Sequence, residues 1–490
     1  MLKHQATEER NIHMSAQSAE KLASSPEFSL KTIIAPLLAV MIGMIMVLLD
    51  TTIMNVAIPS LQKYFNSSLK TIQWTITGYT LALATIIPLA GWMTDKFGAK
   101  RIFLITITLF TIGSVLCALA QTTEQLVIFR IIQGLGGGMV APIGMAMSFR
   151  MAPPDKRGAV MGMLGLPMLI APATGPLLSG WLIGIASWHW IFLINLPIGI
   201  AAVIVGLKFL PNQQRGKAPA LDILGIILAP IAFSMLTYGM SEGGRGWSST
   251  GALTGLIVGG VALLLFIFVE LRHKQPLLEL RAFKSPDFTL GIIINWALQA
   301  SMIGTILLNP LFQQGVLGRT PLVSAAISLP ISLGGLLFTP FAGKISDKIG
   351  ARPLVFSGLS LMSIALFLLS GVNLNTGVIT LMIPLFMVGC GMALSMMPLN
   401  AHILKSAPRE LVSRVTPLNS ASLQVVNSFA IAALTGHLSS RIGKRMVEAG
   451  EHAQNLKISA LAFGDTFLII ACIATGGAIL SLILRKPRIK

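Results

Sequence analysis

Apolar runs of about 20 residues recur along the chain from Ile33 to Leu484, with short polar intervals between them. They lie near 33–56, 71–92, 102–120, 126–149, 158–183, 188–207, 221–240, 250–269, 287–312, 321–342, 353–370, 377–400, 411–435 and 462–484. A run of that length lets a helix cross the ~30 Å hydrocarbon core of a bilayer. A helix at the centre of a large soluble protein is also apolar on every side. More than a dozen such runs cannot all be central, so lipid is the surrounding solvent. Backbone polar groups must be paired inside hydrocarbon, and the 47 glycines and 26 prolines argue against continuous lipid-facing strands. The runs are also too long for barrel strands. The pattern predicts an all-α polytopic membrane protein of fourteen spans.

Composition agrees. Of 490 residues, 54% are hydrophobic and 11% charged, against about 25% charged in a soluble domain. The mean hydropathy is +0.78. The formal net charge of +18 gathers in alternate loops, at Lys96, Lys100, Arg101, Arg150, Lys156, Arg157, Lys208, Arg272, Lys274, Arg281, Lys344, Lys348 and Arg352 among others. The opposite loops are poorer in basic residues, with Arg441, Lys444 and Arg445 the main cluster. The positive-inside bias then places both termini in the cytoplasm. A nucleic-acid partner is excluded, because that reading needs the charges on one soluble surface. The polar first 30 residues contain no signal-peptide core. Cys117, Cys390 and Cys472 fall within apolar spans, and their spacing offers neither a disulfide framework nor a metal site. They are expected to be buried small hydrophobes.

The polar intervals hold a repeat. LAGWMTDKFGAKR at 89–101 returns as FAGKISDKIGARP at 341–353, with six of thirteen positions identical and an offset of 252 residues. The copies follow the second and the tenth spans, eight spans apart. A duplicated six-helix unit therefore needs two extra spans between its halves. The expected division is a tail over 1–32, a six-helix bundle over 33–207, a linker with two inserted helices over 208–286, a second bundle over 287–484, and a tail over 485–490. Segment 436–461 interrupts the second bundle on the outer side, long enough for an interfacial helix or a helical hairpin. Parallel repeats of this sort mark transporters that rock one half against the other. Loop chemistry alone also favours Gly, Lys and Asp, but here the order repeats as well as the composition.

The repeated loops read as a cytoplasmic gate of Gly91, Asp95, Lys96, Gly98, Arg101, Gly343, Asp347, Lys348, Gly350 and Arg352. The glycines allow close helix approach. Asp95 and Asp347 can accept hydrogen bonds from a neighbouring helix N-terminus, and the basic residues can pair across the loop or meet anionic lipid headgroups.

Inside the spans, charge is scarce. Asp50 lies in the first apolar run and Arg130 in the fourth, with Gln133 on the same helical face. A carboxylate in this setting must be protonated or paired, and an ionisable residue within a membrane is a functional hypothesis by default. Asp50 is therefore a proton carrier, a counter-ion to a cationic substrate, or both, the alternative being a static pair with a buried cation. Arg130 either couples to that acid or snorkels to the interface as an anchor. The polar candidates for a cavity are Asn55, Gln73, Asn295, Gln299, Asn309, Gln313, Asn419, Gln424 and Asn427, with Trp74, Tyr79 and the 24 methionines as an adaptable apolar wall.

Several motifs together resemble the major facilitator superfamily, in its fourteen-span drug:proton antiporter branch. GWMTDKFGAKR matches that family's first cytoplasmic loop, and GKISDKIGARP is a weaker echo in the second half. FRIIQGLGGGMVAP at 129–142 matches the fourth-span motif, whose arginine is here Arg130. LDTTIMNVAIPSL at 49–61 matches the first-span motif and places its acid at Asp50. GLPMLIAPATGPLLSGWL at 165–182 carries most of the fifth-span antiporter motif, through Gly165, Pro172, Gly175, Pro176, Ser179 and Gly180. WHWIFLINLPIG at 188–199 matches the start of the sixth span. Two positions depart from the pattern. Ser179 replaces a glycine and is expected to bond back to its own helix. His189 stands where the pattern has an arginine, which removes a permanent charge and any salt bridge made by it.

The resemblance implies a proton-coupled antiporter that exports lipophilic, often cationic compounds by alternating access. It also implies a coupling role for Arg130 and a sealing role for the fifth span between the halves. The expected partners are protons, such substrates and membrane lipids. No cofactor is expected beyond the proton gradient, and the protein should work as a monomer in a bacterial plasma membrane. The same fold also suits an exporter of a metabolite, lipid or peptide. No GxxxxGK[ST] sequence supports an ATP-driven pump, and no HExxH motif supports an enzyme. A channel is the remaining alternative.

Overall fold

The computed structural model describes residues 30–485, apart from residue 68 and the stretches 154–155, 213–221, 244–245, 274–275, 408–410 and 450–454. The expected tails, and Arg215 and Lys217 in the linker, lie largely outside the described residues. All regular structure described is helical. In the first half, α1 is Leu30–Phe65 and α2 is Leu69–Ile86, which passes through a 3-10 turn at Pro88 into α3, Ala90–Phe97. Then follow α4 (Ala99–Ala118), α5 (Thr123–Gly137), α6 (Val140–Met151), α7 (Arg157–Ile185), α8 (Trp190–Leu193) and α9 (Asn195–Phe209). The inserted pair is α10 (Ile223–Gly243) and α11 (Thr250–Arg272). The second half holds α12 (Pro286–Gly315), α13 (Pro321–Ile349), α14 (Ala351–Ser370), α15 (Val378–Lys405), α16 (Val412–Ala449) and α17 (Asn455–Ser481).

Polar residues in the loops set the helix starts. The side chains of Thr122, Ser249, Ser285 and Thr320 each accept a hydrogen bond from the backbone N–H three residues on. This satisfies an orphan donor of each first turn. Pro286 and Pro321 follow two of these caps, where the missing N–H costs nothing.

Helix pairing repeats between the halves. In the first, α1 packs on α7 and α9, α2 on α5, and α4 on α5 and α9. In the second, α12 packs on α16 and α17, α13 on α15, and α14 on α15 and α17. The match extends to single residues. A methyl group on Gly134 would lie 2.7 Å from Tyr79 O, and one on Gly389 would collide with Ile331 O. Tyr79 and Ile331 are 252 residues apart, the offset of the repeated loop.

Among the described residues, 12 helical segments are long and apolar enough to cross a membrane. Fourteen were expected; α7 and α16, which occupy the fifth and thirteenth expected spans, are not among the 12. The inserted helices were expected to pack outside both halves. In the structure α10 touches α2 of the first half and α16 of the second, and α11 packs on α10. Only 28% of the apolar window of α11 is buried, the lowest share of the 12. Tyr238 of α10 stacks on Trp74 of α2, and Trp247 beyond α10 meets Phe429 of α16.

Segment 436–461 does not form a separate interfacial helix. The helix α16 runs on as 38 continuous residues to Ala449, and α17 begins at Asn455. Asp465 of α17 holds Arg445 at 2.7 Å and Arg441 at 3.7 Å, which ties the extension of α16 back to its neighbour. One cysteine also departs from expectation. Cys117 and Cys390 are buried, but Cys472 is exposed on the outer face of α17. A small apolar thiol suits a lipid-facing position as well as a core.

Candidate functional site

Asp50 and Arg130 meet in the middle of the first half. Arg130 Nη1 lies 2.6 Å from Asp50 Oδ2, and both side chains are 1% exposed. The guanidinium does not snorkel. Its Nη1 also donates to Gln133 Oε1 at 2.8 Å and its Nε to Thr75 O at 3.2 Å. Its plane rests 4.1 Å over the Tyr79 ring. Gln133 Nε2 donates to Asp50 Oδ1 at 2.8 Å, and Asn195 Nδ2 reaches the same oxygen at 3.3 Å. Asp50 therefore receives donors from α5 twice and from α9 once. Gly113 lets α4 approach α5 closely enough to build this cluster, since a methyl group there would lie 2.7 Å from Gln133 Cα. The pair is neutral as a unit, which is how a membrane interior tolerates two charges. Removing one partner of such a pair typically costs about 3–5 kcal/mol.

The helix turn after Asp50 is keyed into α7. Thr52 Oγ1 donates to Leu49 O of its own helix at 2.9 Å and lies 3.3 Å from Ala171 O, and a methyl group on Gly175 would collide with that hydroxyl. Ser179 Oγ donates to Ile53 O at 3.1 Å. This corrects the expectation that Ser179 bonds back within α7. The hydroxyl finds a carbonyl across the seam, because the small residues bring α1 that close. The side chains of Pro172 and Pro176, and Gly180, lie outside the described residues.

At its other end, α7 reaches the second repeated loop. Asp347 Oδ1 accepts from Gly158 N at 2.8 Å and Oδ2 from Ala159 N at 3.0 Å. Both donors belong to the first turn of α7, where free N–H groups and the helix dipole favour an anion. Lys405 of α15 adds an ion pair at 3.4 Å. The glycine contact beneath is tight: a methyl group on Gly343 would lie 2.5 Å from Gly158 O. Further along, Gly165 faces Thr339 and Met397 of the second half. The first loop makes the mirrored contact, with Asp95 Oδ2 3.5 Å from Arg414 Nε on α16. Gly91 is buried at the start of α3. Gly98 and Gly350, with φ of 89° and 88°, turn the chain sharply into α4 and α14. An L side chain is strained there. Lys96 lies over Trp92 at 4.6 Å, while Arg101, Lys348 and Arg352 are exposed.

The two halves are thus a repeated helical unit, joined at one end by paired carboxylate latches, with a buried ion pair in the first. The profile of the Major Facilitator Superfamily matches residues 40–222 and 207–432. The chain belongs to the major facilitator superfamily. It is 34% identical over 396 residues to a multidrug resistance protein B homolog of Mycobacterium tuberculosis, covering 80% of this chain and 73% of that one. It is 34% identical over 425 residues to the lincomycin resistance protein LmrB of Bacillus subtilis, covering 86% and 85%. Among solved structures, the proton:xylose symporter XylE superposes with a TM-score of 0.63 at 15% identity, over 94% of this chain and 97% of that one. That last likeness concerns the fold.

Within this superfamily member, the remaining cavity candidates fall into separate groups. The side chains of Asn55 and Gln73 lie outside the described residues. Gln133 and Tyr79 belong to the ion-pair cluster, and Trp74 faces α10. Asn295 Nδ2 donates to Asn419 Oδ1 at 3.1 Å, and Asn419 Nδ2 to Asn400 Oδ1 at 3.3 Å, a buried amide chain joining α12, α16 and α15. Gln313 Nε2 donates to Asn309 Oδ1, and Asn309 Nδ2 to Ser328 Oγ, near the far ends of α12 and α13. Gln299, Gln424 and Asn427 are partly buried. Among the described residues, the second half shows no counterpart of the ion pair. The Gly134–Gly389 correspondence, an offset of 255, pairs Arg130 with Leu385 and Gln133 with Val388.

Sequence reasoning missed Asn195, Ser114, Thr52, Lys405 and Arg414. Asn195 stood inside a recognised motif, so its polar side chain in an apolar run was the available signal. Lys405 lies past the end of the twelfth span and Arg414 just inside the start of the thirteenth, where only three-dimensional proximity assigns a partner. His189 stacks on Trp188 at 3.8 Å and lies 3.2 Å from Ser187 Oγ.

Proposed function

We propose that this protein is a proton-coupled secondary exporter of lipophilic, often cationic compounds, a carrier and not an enzyme, with no cofactor besides the proton gradient. The observation that carries this reading is the buried Asp50–Arg130 pair, an ionisable couple set where no solvent screens it. The names of relatives linked to multidrug and lincomycin resistance support the cargo class. All fourteen helical crossings, α7 and α16 included, span the membrane. The latched end faces the cytoplasm with both termini, in keeping with the basic loops, and the bundles over 33–207 and 287–484 rock as units. A monomer suffices, since each latch is made within one chain.

Protonation of Asp50 removes the charge that Arg130 neutralises and loosens α1 from α5. Thr52 and Ile53 pass that change to Gly175 and Ser179 of α7. This helix of 29 residues is ~44 Å long at 1.5 Å per residue. Its other end carries Gly158 and Ala159 of the Asp347 latch, so one continuous helix connects the proton site to the gate. A charge moving inward gains ~2.3 kcal/mol per 100 mV, and each pH unit adds about 1.4 kcal/mol. Counterflow in proteoliposomes tests the carrier reading with ethidium, a lipophilic cation, and lincomycin as probes. Transient accumulation driven by unlabelled compound on the far side is expected. Leak without exchange would point to a channel.

A further inference from the structure

Asn195, the first residue of α9, is 1% exposed and holds an incomplete set of hydrogen bonds. Its Nδ2 donates to Asp50 Oδ1 at 3.3 Å and to Ser114 Oγ at 2.9 Å. Ser114 has one hydroxyl proton, and gives it to Phe192 O at 2.9 Å. The amide group facing Ser114 must therefore be the NH2. That leaves Asn195 Oδ1 as a buried acceptor without a partner, next to the acid. Natural proteins rarely keep such an orphan without a reason.

The other groups hydrogen-bonded to Asp50 are saturated for the ionised acid and unsuited to the protonated one, while the Tyr79 hydroxyl, also without a partner, makes no hydrogen bond to Asp50. Arg130 and Gln133 both present donors to it. The one acceptor among them, Gln133 Oε1, already takes Arg130 Nη1 at 2.8 Å and the Cys117 thiol at 3.6 Å. A carboxylic acid at Asp50 has a proton to donate and needs a free acceptor.

We infer that Asn195 is the positioning residue for the protonated state of Asp50, its amide donating to the carboxylate and, once turned over, accepting the carboxylic acid O–H. This rests on the proposed proton coupling at Asp50. A half-turn about the Cβ–Cγ bond exchanges the amide oxygen and nitrogen, so the oxygen comes to the place that now reaches Asp50 Oδ1. The proton arrives from water and stays on Asp50; no covalent bond of Asn195 changes. Ser114 follows by swinging its hydroxyl from Phe192 O to the amide oxygen. The protonation state is then relayed through Ser114 to α4 and through Phe192 O to α8. The charged and titratable groups facing Asp50 are Arg130 from α5, Tyr79 from α2 and Cys117 from α4. No ionisable residue occurs in α7 from Gly158 to Ile185 or in α9 from Asn195 to Leu207.

The test is a pH titration of the carboxylic acid C=O band by infrared difference spectroscopy, on the full chain in nanodiscs, with no substrate present. The Asp50 band is assigned by its loss in Asp50→Asn. Asn195→Leu removes the acceptor and only the longest of three donors, so the midpoint should fall by about one pH unit, a tenfold weaker hold on the proton. Asn195→Asp keeps the shape but supplies an anionic acceptor, so the midpoint should rise by about one unit or more. Opposite shifts are what a switching amide requires. The fall in Asn195→Leu is the discriminating result: a residue that only donates to the carboxylate would, when lost, raise the midpoint, and an added anion at position 195 raises it in either case. Unchanged midpoints, or shifts of the same sign, would overturn the inference while leaving Asp50 as the proton site. If the wild type shows no titrating Asp50 band, the coupling reading itself falls, and this inference with it. If Asn195→Leu does not fold, a midpoint in Asn195→Asp that stays or falls is still decisive against it.

Discussion

Asp347→Asn should open the latch that closes one end of the transporter. In the structure the carboxylate takes two backbone N–H groups of α7, at 2.8 and 3.0 Å, and the Lys405 ammonium at 3.4 Å, with its side chain 10% exposed. Asparagine keeps the volume and one acceptor oxygen, but turns an NH2 toward the second N–H. The lost charge-assisted hydrogen bond is worth about 1.5–3 kcal/mol. The lost charge at the helix N-terminus adds about 0.3–1 kcal/mol. The partly screened lysine pair adds at most about 1 kcal/mol. A total of about 2–5 kcal/mol corresponds to a shift of roughly 30- to 4,000-fold in the closed–open equilibrium. Nitroxide labels at Arg150 and Arg352, exposed residues at the latched ends of the two halves, read that equilibrium by double electron–electron resonance. The wild type should populate a short distance, and the variant a longer one with slower turnover. Asp95→Asn should move the distribution less, because its ion pair to Arg414 is longer at 3.5 Å and its side chain is 19% exposed. Identical distributions in wild type and Asp347→Asn would refute the reasoning.

Other substitutions probe the packing that connects latch and proton site. Gly175→Ala drives a methyl group into Thr52 Oγ1 and should cost about 1–3 kcal/mol; a lower Tm in detergent, partly restored by adding Thr52→Ala, checks it. Ser179→Ala loses the bond to Ile53 O and should cost about 1 kcal/mol in the same assay. Gly98→Ala and Gly350→Ala place a side chain at φ of 89° and 88°, a strain of about 1–3 kcal/mol. Each should lower Tm and favour the long distance in the label measurement.

The helices and the repeat were legible because they follow from solvent. Lipid demands long apolar runs, and duplication leaves an offset that a string of letters preserves. Asp50 and Arg130 were legible for the same reason, as charges where charge is costly. What sequence could not supply is who faces whom. Asn195 is an ordinary polar residue until α4, α5 and α9 place it 3.3 Å from Asp50. Ser179 was assigned to its own helix because local bonding is the only kind a sequence displays, whereas its partner lies across the seam on α1. The extension of α16 was legible only in part: a helix of ~57 Å must leave the ~30 Å core, so its polar end reads as an interfacial helix or a helical hairpin and not as the same helix continued.

The central claim is that the buried acid of the first span couples export to protons. The direct measurement is accumulation, against its gradient, of a lipophilic cation that counterflow has shown to be carried. It is made in proteoliposomes under an imposed pH gradient, comparing wild type with Asp50→Asn at matched reconstitution. Asparagine keeps the volume and some of the hydrogen bonds to Gln133 and Asn195 but cannot exchange a proton. The account expects gradient-driven accumulation in the wild type and none in the variant, with downhill movement of a neutral substrate retained. Undiminished proton-driven accumulation by Asp50→Asn would contradict it.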